Sequence, residues 1–116
     1  MSSKARTELL QGTLDLLILR ILQFGPAHGH AIGRQIQRTS EDMLKVETGS
    51  LYPALHRLEA QGWIGAEWAL SDKGKRAKFY RLTAAGKKQL TSEHSRWEQL
   101  SRAIALVLRG PKGEIS

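Results

Sequence analysis

The side chains with the most chemistry to offer sit in one stretch, Thr48–Gly62, which reads TGSLYPALHRLEAQG. Leu51, Leu55 and Leu58 recur at i, i+4 and i+7, the spacing of one apolar stripe on a helix. Turned away from that stripe are Ser50, Tyr52, Pro53, His56, Arg57 and Ala60. This outer face is small, flat and hydrogen-bonding, with one cation, where an ordinary solvated helix alternates Glu and Lys. Such groups on a helix suit the base edges and phosphates of a nucleic acid. Arg57 and His56 are candidates for guanine edges, Ser50 and Tyr52 for phosphates or an adenine, and Pro53 or Ala54 for a thymine methyl, unless Ala54 turns into the core. Thr48 or Ser50 is expected to cap the helix, since a hydroxyl accepts a bond from an otherwise unpaired N–H. Pro53 loses no helical bond if Ser50 is the cap and one if Thr48 is. Gly62 is expected to stop the helix. Taken alone, a plain surface helix with an unusual Tyr-Pro pair explains these residues equally well. The next element along the chain decides between the two.

That element is a hairpin. Trp63–Leu70 (WIGAEWAL) alternates, with Ile64, Ala66 and Trp68 on one face, and Phe79–Thr83 (FYRLT) returns as its partner strand. The intervening SDKGKRAK, Ser71–Lys78, places Lys73, Lys75, Arg76 and Lys78 at the tip against the single Asp72. Four cations in a loop are usually no more than a solvated surface. Directly after a helix of this kind, they form a basic wing.

The remaining elements hold these two in place. Glu8–Phe24 is expected as a helix with Thr7 as its cap. Leu10, Leu14, Leu17, Ile18 and Ile21 form one stripe that Leu9, Leu16 and Leu22 widen, so the helix is buried from two sides. In a short chain the second side is most simply another subunit. His28–Arg38 is a shorter helix anchored by Ile32 and Ile36, with Arg34 and Arg38 on its polar side. Met43, Leu44 and Val46 suggest a short extended piece in the connection Thr39–Glu47. Two short helices resting on an apolar first helix make a helix-turn-helix unit. The last helix spans about Ala84 to Arg109, capped by Thr83 and ended by Gly110-Pro111. Along it Leu90, His94, Trp97, Ser101, Ile104 and Leu108 alternate steps of three and four, a heptad-like seam. Once the rest of the chain has closed its own core, a second copy is the economical partner for that seam. Asp15, a lone carboxylate on a very apolar helix, is expected to face solvent or a partner's basic side chain.

With 116 residues the chain is one domain with a modest core. Its 18 Lys and Arg against 11 Asp and Glu give a formal charge of +7, which favours polyanions, nucleic acid foremost. The absence of cysteine excludes disulfides, Cys-ligated zinc, iron–sulfur clusters and thiol catalysis. His28 and His30 are two apart, so they point apart on a helix, and no carboxylate–His cluster of metal-ligand spacing surrounds them. There is no Gly-x-Ser-x-Gly elbow and no phosphate loop. No cofactor, metal or catalytic residue is expected, and the chain is not expected to be an enzyme. The most apolar run, Leu14–Leu22, is too short for a bilayer and carries Arg20, so a cytoplasmic protein with no membrane partner is expected.

The ordered set HGHAIGRQI, ETGSLYPALHRLEAQGWI and KFYRLTAAGKKQL resembles the PadR family of bacterial transcriptional regulators. The likeness covers roughly residues 9–90, and the ending with one C-terminal helix is similar to the short PadR subfamily. The resemblance implies a winged-helix dimer that represses a nearby operon and is released by a small molecule. Short PadR-like proteins also carry a Trp near the position of Trp97. Trp97 is therefore expected either to plug the seam or, with its two-fold mate, to stack a flat aromatic ligand between subunits. Two positions depart from the family pattern. His30 stands where the family usually has Tyr, and Ala77-Lys78-Phe79-Tyr80 replaces the R-K-Y-Y form of the wing.

The expected fold is mainly α with a small β-hairpin, a winged helix-turn-helix plus N- and C-terminal dimerisation helices. Residues 1–83 would bind DNA, 84–109 dimerise and 110–116 form a tail. DNA contacts are expected from Ser50, Tyr52, Pro53, His56, Arg57, Lys73, Lys75, Arg76, Lys78, Arg34 and Arg38. A subunit seam with an effector cleft is expected at Leu10, Leu14, Asp15, Leu90, His94, Trp97, Ser101 and Ile104. Double-stranded DNA, a second copy and a small aromatic or hydrophobic ligand are the expected partners. A winged helix can also serve as a protein-interaction module, but such a module has no need of a wing with four cations.

Overall fold

The computed structural model describes residues 3–111, with side chains from residue 13 onward, so Thr7, Leu9 and Leu10 lie outside the described side chains. The elements run α1 (Ser3–Gln23), β1 (Ala27–His28), α2 (Gly29–Thr39), α3 (Thr48–Ala60), β2 (Ile64–Leu70), β3 (Arg76–Leu82) and α4 (Ala84–Arg109). The fold is the expected winged helix: a three-helix unit, a small antiparallel sheet and a long last helix.

The core forms where the apolar stripes of the first three helices converge. Leu14, Ile18 and Leu19 of α1 meet Ile32 and Ile36 of α2 and Leu51, Ala54, Leu55 and Leu58 of α3. Ile64 and Tyr80 close the sheet side, and Leu90 brings α4 onto the same cluster. Ala54 is wholly buried, which removes it from the set that could touch a base. Burial pushes the Tyr80 phenol above its ordinary value, with Lys78 pulling it part of the way back and Glu59 and Tyr52 adding to the rise.

Several local expectations are corrected. The backbone of α1 is already helical from Ser3, so Thr7 is inside the helix and not its cap. Neither Thr48 nor Ser50 caps α3: Glu47 occupies that place without a side-chain bond, and its carbonyl accepts from the backbone N–H groups of Ser50 and Leu51. Pro53 therefore lies inside α3 and, having no N–H, leaves out one helical bond. His28 is not in α2 but caps it, Nδ1 accepting from the Ala31 N–H at 3.2 Å. The stretch Met43–Val46 is not a strand. The chain turns there through left-handed Glu41 and Asp42, and Ser40 Oγ donates to the Gln37 carbonyl while accepting from Leu44 N–H. These local bonds hold it as a turn. β3 begins at Arg76, not Phe79, which shortens the tip to Ser71–Lys75. There Ser71 N–H donates to the Lys75 carbonyl at 2.7 Å, and Gly74 supplies the left-handed residue at φ +74°.

The sheet order is β1-β3-β2, with Ala27 opposite Tyr80 and His28 opposite Phe79. α4 is rooted firmly. Thr83 Oγ1 accepts from Gly86 N–H at 3.0 Å and donates to the Gly62 carbonyl at 2.7 Å, while Thr83 N–H donates to the Trp63 carbonyl. Gly86 is pressed so close that an added Cβ would lie 1.9 Å from the Trp63 carbonyl oxygen. Beyond Leu90 no described residue of α4 is buried, and with this helix the chain is elongated, its extents 58 × 31 × 21 Å. Among the described residues no helix is long and apolar enough to cross a membrane.

Candidate nucleic-acid interface

With Leu51, Ala54, Leu55 and Leu58 in the core, the 100° step of the helix fixes where the rest of α3 points. Pro53, His56 and Ala60 face outward and are exposed. Ser50 and Arg57 lie on one flank, and Tyr52 and Glu59 on the other. The Tyr52 flank leans on the start of α2: a Cβ on Gly29 would meet the Tyr52 ring and hydroxyl at 2.8 Å, so a larger residue there would displace the ring. The Arg57 flank faces α1, where Nη2 donates to Asp15 Oδ1 at 3.0 Å. Asp15 thus has a basic partner within its own chain.

The wing cations divide into two groups. Lys73 and Lys75 are exposed at the tip. Arg76 and Lys78 belong to β3 and are engaged by neighbours. Arg76 lies over the Trp68 ring at 5.5 Å, a cation–π contact. Lys78 pairs with Glu59 of α3 at 3.2 Å and lies 5.5 Å from the Tyr80 ring. The register explains both, because Trp68 is opposite Lys78 and Leu70 opposite Arg76, which puts all four on one face of the ladder. Nearer the body that face carries Ala66 and Tyr80 onto α3. Further along the hairpin the same face is open, with Trp68 59% and Leu70 69% exposed. An exposed pair of large apolar side chains beside Arg76 and Lys78 extends the α3 surface, whereas strand alternation alone assigns them an inward place.

Among the described residues, His30 lines three clefts that separate the elements. One of about 540 Å³ lies between α3 and the wing, with Tyr52, His56, Trp68 and Lys78 among its walls. A second, about 380 Å³, separates the start of α2 from the wing and is bordered by Arg34, Lys73, Lys75 and Arg76. The third, about 590 Å³, lies between α2 and the start of α3 and also includes Arg34. Arg38 is exposed one turn further along α2. The departure of His30 from the family's usual Tyr was visible in the sequence, but its position at this junction was not.

The seam residues separate by location. Leu14 and Leu90 are 1% and 5% exposed and belong to the core of the single chain. His94, Trp97, Ser101 and Ile104 are exposed along the free part of α4, with His94 Nε2 3.5 Å from Glu98. Asp15 is on the α3 side of α1, bonded to Arg57, and does not join them.

Residues 18–92 match the family model described as the transcriptional regulator PadR-like family. The chain is 33% identical to the transcriptional regulator Rv3488 of Mycobacterium tuberculosis over 97 residues, 84% of this chain and 87% of that protein. Among solved structures it is similar to a PadR family transcriptional regulator from Eggerthella lenta, with a TM-score of 0.78 at 31% identity, covering 94% of this chain and 93% of that one. A PadR-like regulator from Bacillus cereus gives a TM-score of 0.77 at 26% identity, over 90% of this chain and 99% of its own. The chain therefore belongs to the PadR-like family of transcriptional regulators, a winged-helix DNA-binding protein and not an enzyme.

Proposed function

We propose that this protein is a cytoplasmic homodimeric repressor that reads a palindromic operator and is released by a small aromatic ligand at the dimer centre. Residues 1–83 read DNA in this proposal, and α4 joins the subunits. The observation that carries the DNA half is the shared outward direction of the α3 face and the wing, with the exposed Pro53 and His56 between Arg57 on one flank and the wing cations on the other. α3 lies in the major groove, where Arg57 and His56 address base edges and Ser50 and Tyr52 the backbone. Lys73, Lys75, Arg76, Arg34 and Arg38 meet phosphates, which set register and affinity without reading sequence. Lys78, paired with Glu59, holds the wing against α3.

The dimer half rests on α4, where Trp97, Leu100, Ile104, Val107 and Leu108 are 42–78% exposed in the single chain. Apolar area of that extent on a helix is stable in water when a second copy covers it. A gap left between paired Trp97 rings would admit a planar aromatic.

The test is selection of random duplex DNA by the purified protein at physiological salt against bulk competitor, since non-specific affinity falls steeply with salt. Recovery of a palindrome with half-sites about one helical turn apart is the expected result. Enrichment of nothing, with only salt-sensitive binding, overturns the operator reading and leaves a protein-interaction module. Quenching of emission by planar aromatics, lost in Trp97→Ala while the dimer persists, is the expected sign of the ligand.

A further inference from the structure

We infer that Asp15 is a positioning residue for DNA recognition: it holds Arg57 to base reading by denying its guanidinium to phosphates. The inference rests on the proposed operator reading and deepens it.

Asp15 and Arg57 are 42 positions apart in the chain and meet across the α1–α3 boundary at 3.0 Å, with side chains 33% and 45% exposed. So exposed a pair contributes little to stability. Its geometry is more informative than its strength. A guanidinium has five N–H donors in a fixed plane, and Asp15 Oδ1 takes one of them, on Nη2. The second Nη2 proton and both Nη1 protons stay available, which suffices for the bidentate contact with guanine O6 and N7. The carboxylate also cancels most of the charge that would draw Arg57 to the nearest phosphate.

Without that anchor, a long arginine at the flank of α3 would swing to the backbone of any duplex. It would then release one counterion per protomer and bind all sequences more tightly. The wing tip already supplies phosphate-seeking cations in Lys73 and Lys75, so an additional one on α3 would raise affinity while erasing discrimination. Asp15 sits on α1, outside the reading face, and its carboxylate gains nothing from approaching DNA. Its effect passes through Arg57.

The test compares Asp15→Asn with the unaltered protein on the selected operator and on random duplex, each across a salt series. Asn preserves shape and removes the charge. The expected result is several-fold tighter binding to random duplex, several-fold weaker binding to the operator, and a steeper salt dependence by about 0.9 in the log–log slope per protomer. Asp15→Glu is expected to restore the slope. In an Arg57→Ala background Asp15→Asn is expected to change nothing, the signature of coupled residues in a double-mutant cycle. A merely structural tie predicts the opposite sign on random duplex, with both affinities falling together and the slope unmoved. That result, or no change at all, overturns the inference while leaving the operator reading intact. If selection recovers no operator, that reading falls, and the slope on random duplex still decides whether Asp15 restrains Arg57.

Discussion

Lys75 and Lys78 are three residues apart and carry the same charge, yet the structure gives them different neighbours. Lys75 is exposed at the turn, whereas Lys78 is tied to Glu59 and lies by the Tyr80 ring. Lys75→Ala is expected to weaken binding to all DNA sequences alike and to reduce the salt slope by about 0.9 per protomer, read from affinities across a salt series. Lys78→Ala is expected to weaken binding while leaving that slope unchanged, because it removes the tie between wing and α3 and not a phosphate contact. Tyr80 offers a second prediction at this scale. Burial raises its pKa above the ordinary 10.0, so between the unfolded and folded values the folded chain holds the extra proton. Its stabilising contribution is complete below about pH 10 and is lost as pH rises through the folded value. Denaturant unfolding at successive alkaline pH values, compared with Tyr80→Phe, should show the unaltered chain declining more steeply. Such single-residue partnerships were the least legible part of the sequence. Arg57 was readable as the one cation on a flat face, but periodicity relates residues a few positions apart and could not bring Asp15 to it across 42 positions.

Among the elements, α4 was legible almost to the residue and α3 less so, for a physical reason in each case. Thr83 and Gly110 are strong local signals, and the Thr83 hydroxyl does accept from Gly86 N–H. α3 starts on Glu47 through backbone bonds alone, so its hydroxyl residues misplaced the cap. β1 is two residues long and exists because β3 passes beside it, a tertiary cause with no local pattern. The wing cations Arg76 and Lys78 read as loop by charge, yet β2 supplies a partner ladder that draws them into a strand. The packing of α4 against the end of α3 gives the prediction for this scale. Gly86→Ala would place a methyl group 1.9 Å from the Trp63 carbonyl oxygen, an overlap that only backbone movement can relieve. It is expected to cost about 1–3 kcal/mol or more, as overpacking does, measured by urea unfolding. Gly49→Ala, where nothing lies within 4 Å of the added carbon, is expected to be neutral or mildly stabilising.

At the scale of the whole molecule, the charge of +7 and the single-domain length fit the DNA-binding fold, and the surplus of apolar residues on α4 pointed to a second copy. Ile104 is 47% exposed on that helix, far from the core. Ile104→Glu is expected to convert a dimer to a monomer in sedimentation while leaving the thermal unfolding of the winged helix close to unchanged. Operator affinity should fall sharply, since two half-sites would no longer be bound together. A dimer that survives this change would place the seam elsewhere.

The joint at Thr83 has a mechanical meaning. Hydrogen bonds to Gly62 and Trp63 and the tight fit of Gly86 clamp the base of α4 to the residues that end α3. From that clamp the helix runs 26 residues, about 39 Å at 1.5 Å per residue. It acts as a lever: a tilt of about 5° at the joint sweeps its far end through about 3 Å. In the proposed dimer, joined along these levers, the motion would work in reverse, as in a pair of calipers. A small molecule that wedges the arms apart near Trp97 would turn each joint and change the gap between the two α3 helices, which must match the roughly 34–36 Å repeat of the duplex.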